Sequence, residues 1–352
     1  MSFPALRLPL FSSAVSVLLG LGAIASAQTV TTDPVGFITL TIAGTGQGGS
    51  TALSFKGLGL ARPVEFQGVA TGSTTNTITS SGAAWTANQF SPANGPYYVE
   101  ILGPAGEPGI GTMYDITGNT ATQLTTAQDF ATGVAGTLPT FRIRKHWTIS
   151  AVFGTTNQAG LQGGGPTTAD TILVYSAATG AYDTYYYSTR GGSGVGWRKA
   201  GAGATDQAST VLYPDDGLLI QRKQSGPVSL VLMGAVKTGQ TSFPVVPGLN
   251  ILANPFAAPM TLGSCGLYKG DGSALAAGTA ATADQVQIFN GTSYDTYYYS
   301  NGAAGTGWRL DDGNGSTVDQ TGVQIPVGSS FLVQRRSGAA FNWVAPQHPA
   351  TL

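Results

Sequence analysis

The chain is poor in charge. Lys and Arg number 16 and Asp and Glu 17 in 352 residues, so 9% of the chain is charged, against about 25% in an ordinary globular protein. A net charge of −1 leaves no extended field for nucleic acid or an anionic lipid surface. Cys265 is the single cysteine, which excludes a disulfide framework within the chain. Its setting, LGSCGLY, supplies no adjacent base or cation to activate a thiolate and reads as a small buried turn. His146 and His348 are the only histidines, so no His/Cys metal cluster assembles locally and no cofactor is implied. A G-x-S-x-G nucleophile elbow and a Walker-type G-K-[ST] are also missing. Gly44 to Gly49 match G-x-G-x-x-G, but the following STALSFKGLGL reads as a strand and offers no helix N-terminus to a pyrophosphate.

Long apolar runs are confined to the start. Arg7 precedes an apolar stretch from Leu10 to Ile24 that ends in Ala25-Ser26-Ala27, the pattern of a secretory signal peptide cut before Gln28. The stretch is shorter than the ~20 residues a membrane-spanning helix needs. The expectation is an exported protein, secreted or at the periplasm or cell surface, with no span after cleavage. Its expected partners are polysaccharide or other envelope proteins, and nucleic acid is excluded.

Glycine is abundant at 51 residues, without a collagen period, and 42% of the chain is apolar. Together with Thr, Val and Tyr this indicates many short strands joined by tight turns. No amphipathic helix of useful length is legible; GSALAAGTAATADQV is Ala-rich but broken by Gly and Thr, and reads as loop.

The strongest pattern is a repeat. YDTYYYS occurs at 182–188 and again at 294–300. Around it, TADTILVY, GVGWRK, DQ and LLIQRK in 168–226 correspond to TADQVQIF, GTGWRL, DQ and FLVQRR in 282–338. The tyrosine strand alternates, with Tyr182, Thr184 and Tyr186 on one face and Asp183, Tyr185 and Tyr187 on the other. A fainter third copy is read upstream, from Phe141-Arg142-Ile143-Arg144-Lys145 and from TDPVGFITLTI, which echoes the stretch Gly234 to Phe256. The expected architecture is all-β, with two clear tandem β-sandwich or partly closed barrel-like units and a candidate third. The segments are 1–27 signal peptide, 28–145 N-terminal β domain, 146–236 first repeat and 237–352 second repeat. A propeller repeats at roughly 40 to 50 residues per blade, and a porin-like barrel needs stricter alternation than these mixed Tyr/Thr faces give.

Two readings stand for the repeated aromatic and basic residues. Tyr185, Tyr187, Trp197 and Arg198, with Tyr297, Tyr299, Trp308 and Arg309, form a candidate sugar-binding set in which rings stack and Arg bonds hydroxyls. Alternatively Trp197 and Trp308 fill cores, and Arg198 and Arg309 pair with Asp206 and Asp319. A feature present once per repeat is more naturally a folding element than a unique site. His146, with Arg144 and Lys145 beside it, is expected to be a poor proton acceptor near neutrality and a structural residue. Asp215-Asp216 and Asp311-Asp312 remain as carboxylates for glycosidase-type chemistry, although neither pair recurs in the other copy. DDGNGSTVD at 311–319 departs from EF-hand spacing and reads as a turn.

TTDPVGFITLTI, FRIRKHWT, GLNILANPF, the YDTYYYS block and the LIQRK/LVQRR ends together resemble a paralogous family of secreted proteins from verrucomicrobial-type bacteria. GLNILANPF also looks like the GWNLxxNP openings of β-sandwich segments in large bacterial surface proteins, with Leu249 where those carry Trp. The resemblance implies a bacterial exported protein and brings no catalytic residues with it. The functional expectation is a non-enzymatic structural or interaction module with glycan binding as its specific form. The alternative is a carbohydrate-active enzyme using carboxylates.

Overall fold

The computed structural model describes residues 33–45, 51–103, 109–130, 134–192 and 194–346. The signal-peptide pattern, most of the Gly44 to Gly49 loop and His348 lie outside them. The fold is all-β with antiparallel strand ladders, and among the described residues it holds one short α-helix, Ile149–Phe153, and a 3-10 turn, Pro92–Asn94. No closed barrel occurs among the described strands.

Two five-stranded sheets share one strand order. The first runs Gly196–Lys199, Ala181–Ser188, Thr171–Ser176, Leu218–Arg222, Ala52–Lys56. The second runs Gly307–Leu310, Tyr294–Ser300, Gln285–Phe289, Ser330–Arg335, Gly248–Ala253. Register matches too: Tyr187 stands opposite Trp197 as Tyr299 stands opposite Trp308. Each sheet is accompanied by a two-stranded ribbon, Val35–Ile42 with Val228–Ala235 and Thr241–Val245 with Phe341–Ala345. We call them the first and second ribbon.

Both faces of each sheet are covered, which is why both faces of YDTYYYS carry aromatics. One face of the first sheet packs with its ribbon around Trp197, Tyr185, Tyr187, Ile38 and Leu40. One face of the second packs around Trp308, Trp343, Phe243 and Tyr297. Their remaining faces meet through Phe55, Leu219, Ile251 and Leu332. Burying each such side chain contributes roughly 1.5–3 kcal/mol.

Motifs shared by the halves are clamps. Asp170 takes Arg222 at 2.8 Å and the Lys223 and Gln162 amides at 2.7 Å. Asp284 takes Arg335 and the Arg336 and Ala276 amides at 2.7 Å. Arg198 pairs with Asp206 at 3.2 Å and Arg309 with Asp319 at 3.4 Å, the pairs expected from sequence. The glycine ahead of each Trp-Arg is required: Gly196 and Gly307 hold φ of 134° and 133°, and a Cβ there would meet the arginine Nη1 at 3.1 and 3.0 Å.

The N-terminal region departs from the expected segmentation. Val35–Ile42 and Ala52–Lys56, placed by sequence in the 28–145 domain, ladder with strands of 218–235. Residues 64–145 form a sheet of their own, ordered Val64–Val69, Thr140–Lys145, Tyr97–Gly103, Met113–Asn119, Gln123–Thr126, Thr77–Thr79, Gly72–Ser73. Its seven-strand order differs from the five-strand order, so the motif Phe141 to Lys145 is a sheet strand of another kind. In sequence it lies between Ala52–Lys56 and Trp147–Thr148, where the second half passes directly from Gly248–Ala253 to Met260–Thr261. The echo of TDPVGFITLTI in the second half is thus a ribbon strand matching a ribbon strand, with the seven-stranded sheet inserted after it.

A buried ion network fastens the insert. Glu100 bonds Arg142 at 2.6 Å and also Lys237, while Arg144 bonds Asp33 and the Arg62 carbonyl. Burial pushes the Glu100 carboxyl up, but Lys237 and Arg142 outweigh it and hold the group down at about 2.

Candidate functional site

The insert, the first half and the second ribbon meet around a cleft of about 400 Å³. Met113–Asn119 of the insert supplies Asp115, the turn before Leu218–Arg222 supplies Tyr213, Pro214, Asp215 and Asp216, and the second ribbon supplies Ser242, Phe243, Pro244 and Asn342. No Lys or Arg lines it.

Tyr-Pro-Asp-Asp-Gly builds its turn from local rules. Pro214 presets φ at the second turn position, and the Asp216 amide closes the turn onto the Tyr213 carbonyl at 3.0 Å. The Tyr213 amide donates back to Asp216 Oδ2 at 2.7 Å. The turn is wedged on the second half: the Ala253 amide donates to the Asp215 carbonyl at 3.0 Å and the Gly217 amide to Ile251 at 3.2 Å. Burial raises the pKa of both carboxyls, and the charge of Asp215 raises that of Asp216 further. This pair therefore tends to keep a proton.

Asp115 is held the other way. Its Oδ1 accepts from His146 Nε2 at 2.8 Å, and its Oδ2 from Tyr213 Oη at 2.9 Å and Gln128 Nε2 at 3.0 Å. Burial pushes its pKa up, but these hydrogen bonds, His146 first, lower it overall. In sequence the neighbours of His146 are cationic, Arg144 and Lys145. Here Arg144 turns to Asp33, Lys145 lies over the Tyr97 ring at 5.2 Å, and the imidazole meets a carboxylate 31 residues away in sequence. Buried at 4% exposure, His146 is a positioning group for Asp115.

The candidate sugar-binding residues lie elsewhere and do not form one surface. Tyr185, Tyr187, Trp197 and Arg198 are buried in the first half, and Tyr297, Trp308 and Arg309 in the second. Tyr299 is half-buried, stacked on Tyr268 at 3.5 Å. Trp197 Nε1 donates to the Gly154 carbonyl at 2.8 Å. The heptapeptide tyrosines that stay exposed are the first of each, Tyr182 at 37% and Tyr294 at 39%. Asp311 is half-buried against Gln285, and Asp312 caps the Asn314 amide at 2.9 Å in an exposed turn. Cys265 is buried, which pushes its thiol up to about 12.

Of the cleft, the sequence pointed only to Asp215, Asp216 and, as a structural residue, His146. Asp115 and Tyr213 were missed; the available signal was that Tyr-Pro-Asp-Asp-Gly stands in one copy where the other reads Pro-Val-Gly-Ser-Ser. No protein-family model, curated protein or solved structure matches the chain.

Proposed function

We propose that the protein is an exported, non-enzymatic interaction module of the cell envelope or extracellular space that holds a glycan-type ligand in this cleft. Export rests on the pattern from Arg7 to Ala27. The observation that carries the ligand reading is the lining: acceptors on Asp115, Asp215, Asp216, Ser242 and Asn342 share one concavity with the apolar surfaces of Met113, Tyr213 and Pro244. Sugar rings present hydroxyl donors at their edges and apolar C–H faces, which such a lining complements. An acidic lining with no Lys or Arg in it selects against acidic sugars. The test is calorimetric titration with neutral, amino-sugar and uronate oligosaccharides. Binding of a neutral or amino sugar that is weakened tenfold or more by Tyr213→Phe with Asp216→Asn supports the reading. Preference for uronates, or binding indifferent to both substitutions, rejects it.

A second reading is favoured by one observation. Asp115 is driven towards its ionised form and the Asp215/Asp216 pair towards its protonated form, the division of labour of a carboxylate acid and base. Release of reducing sugar that stops in Asp115→Asn and Asp216→Asn would make the module a hydrolase.

A further inference from the structure

The first ribbon alternates strictly. Ile38, Leu40, Leu230 and Leu232 point into the first core, and Val35, Phe37, Val231 and Met233 point out, at 78, 71, 61 and 72% exposure. Phe37 and Met233 are cross-strand partners, with Val35 and Val231 each two residues along, so the four make one contiguous patch. Thr41 and Ser229, bonded to each other at 3.1 Å, continue the same face. It bears no charge. Solvent-facing ribbons are ordinarily protected by a charge, a bulge or a covering loop, and an apolar patch of this size marks an interaction site.

The second ribbon shows how the fold treats the corresponding face. Its outer positions carry Ser242, Pro244, Asn342 and the half-buried Val344, and the insert lies across one end. There the Ser242 amide donates to Gly111 at 3.1 Å, Thr241 Oγ1 to the same carbonyl at 3.3 Å, and Gln240 Nε2 to Ile110 at 3.2 Å. Gly111, at φ 80°, fits so closely that a Cβ would stand 2.6 Å from the Gln240 carbonyl oxygen. The second ribbon is partly covered by the chain itself; the first, more apolar, is bare among the described residues.

We propose that a second copy of this chain covers it, through a two-fold contact of first ribbon on first ribbon. An uncharged patch needs no oppositely charged partner and is complementary to itself. The four residues expose roughly 500 Å², so a two-fold contact can bury up to about 1,000 Å² from them, and the Thr/Ser rim extends it towards the ~1,200 Å² at which specific interfaces begin. Lipid is disfavoured as the occupant because the face carries no Lys or Arg to engage headgroups.

The test is sedimentation velocity on the processed, exported protein from about 1 to about 100 µM, since a dimer must respond to concentration. The expected result is a monomer–dimer equilibrium that Phe37→Glu and Met233→Glu each weaken at least tenfold. Both residues are exposed, so the thermal melt at low concentration stays near that of the parent. Val318→Glu, at a 64% exposed position outside the ribbon, leaves the dimer intact. Peroxide oxidation of Met233 is expected to slow as the dimer forms. A monomer throughout the range overturns the proposal, as does a dimer that survives both ribbon substitutions or oxidises at Met233 at the monomer rate. Vesicle binding by a monomer that Phe37→Glu abolishes would assign the face to lipid instead.

Discussion

The halves of this molecule agree in sheet order and in the clamps that hold the sheets, and differ at the cleft and on the outer faces of the ribbons. Both carry the Gly-Trp-Arg strand, the Asp206/Asp319 partners and the Asp170/Asp284 clamps. Only the first has the inserted sheet, the Tyr-Pro-Asp-Asp-Gly turn and an uncovered apolar ribbon. At the place matching Asp215 and Asp216, the second half reads Gly328 and Ser329. Gly328 packs there against Leu40, where a Cβ would come within 2.6 Å of Leu40 Cδ2. One junction is closed by apolar contact; the other opens into an acidic cleft. The shared strand order therefore marks the common scaffold, and the cleft lies where the halves differ.

The comparison can be broken most forcefully at the tryptophans. Trp197→Ala and Trp308→Ala should each cost about 3–5 kcal/mol by denaturant unfolding, and by similar amounts. A tolerated substitution in one half would show that the shared motif does different jobs. Next in size is the anchor peculiar to the first half. Glu100→Gln leaves Arg142 and Lys237 buried without their carboxylate and should cost roughly 3 kcal/mol at neutral pH. Because Glu100 is held down to about 2, its contribution is complete above the unfolded value near 4.5 and fades as pH falls towards 2. Parent and variant should converge in acid; a constant gap would discount the network.

The Asp pair should act with the opposite sign. Its raised pKa values mean that the folded state keeps protons the unfolded chain releases above about pH 4. Deprotonation therefore costs stability as pH rises. Asp216→Asn should be stabilising by on the order of 1 kcal/mol near pH 8 and close to neutral in effect near pH 4. A variant less stable than the parent at pH 8 would count against strain at the cleft. The smallest effects belong to the rim of the shared motif. Asp206 and Asp319 are mostly exposed, at 64 and 62%, so Asp206→Asn and Asp319→Asn should each cost under about 1 kcal/mol in thermal unfolding.

Much of the scaffold was legible because strands and turns are local. Alternation around YDTYYYS, glycine ahead of Trp-Arg and a near-constant offset between copies specify the strands, and a recurring Arg with a recurring Asp specifies the pair. The insert was not legible as such. Residues 64–145 have the same all-β texture as their flanks, and it is the ladders of Val35–Ile42 with Val228–Ala235 and of Ala52–Lys56 with Leu218–Arg222 that show them to interrupt a unit. The cleft was hidden for a related reason: Asp115, Tyr213 and Ser242 come from three stretches about 100 and 30 residues apart. Recurrence marks Trp197 and Trp308, which are buried, whereas Asp215 and Asp216 occur in one copy alone.

The most direct test compares two double variants in one oligosaccharide titration. Asp215→Asn with Asp216→Asn alters the cleft, whereas Asp311→Asn with Asp312→Asn alters the turn of the second half and leaves the cleft untouched. Loss of binding in the first pair with parental affinity in the second is the predicted result. Equal affinity in both, with the fold intact, would contradict the assignment of function to the junction where the halves differ.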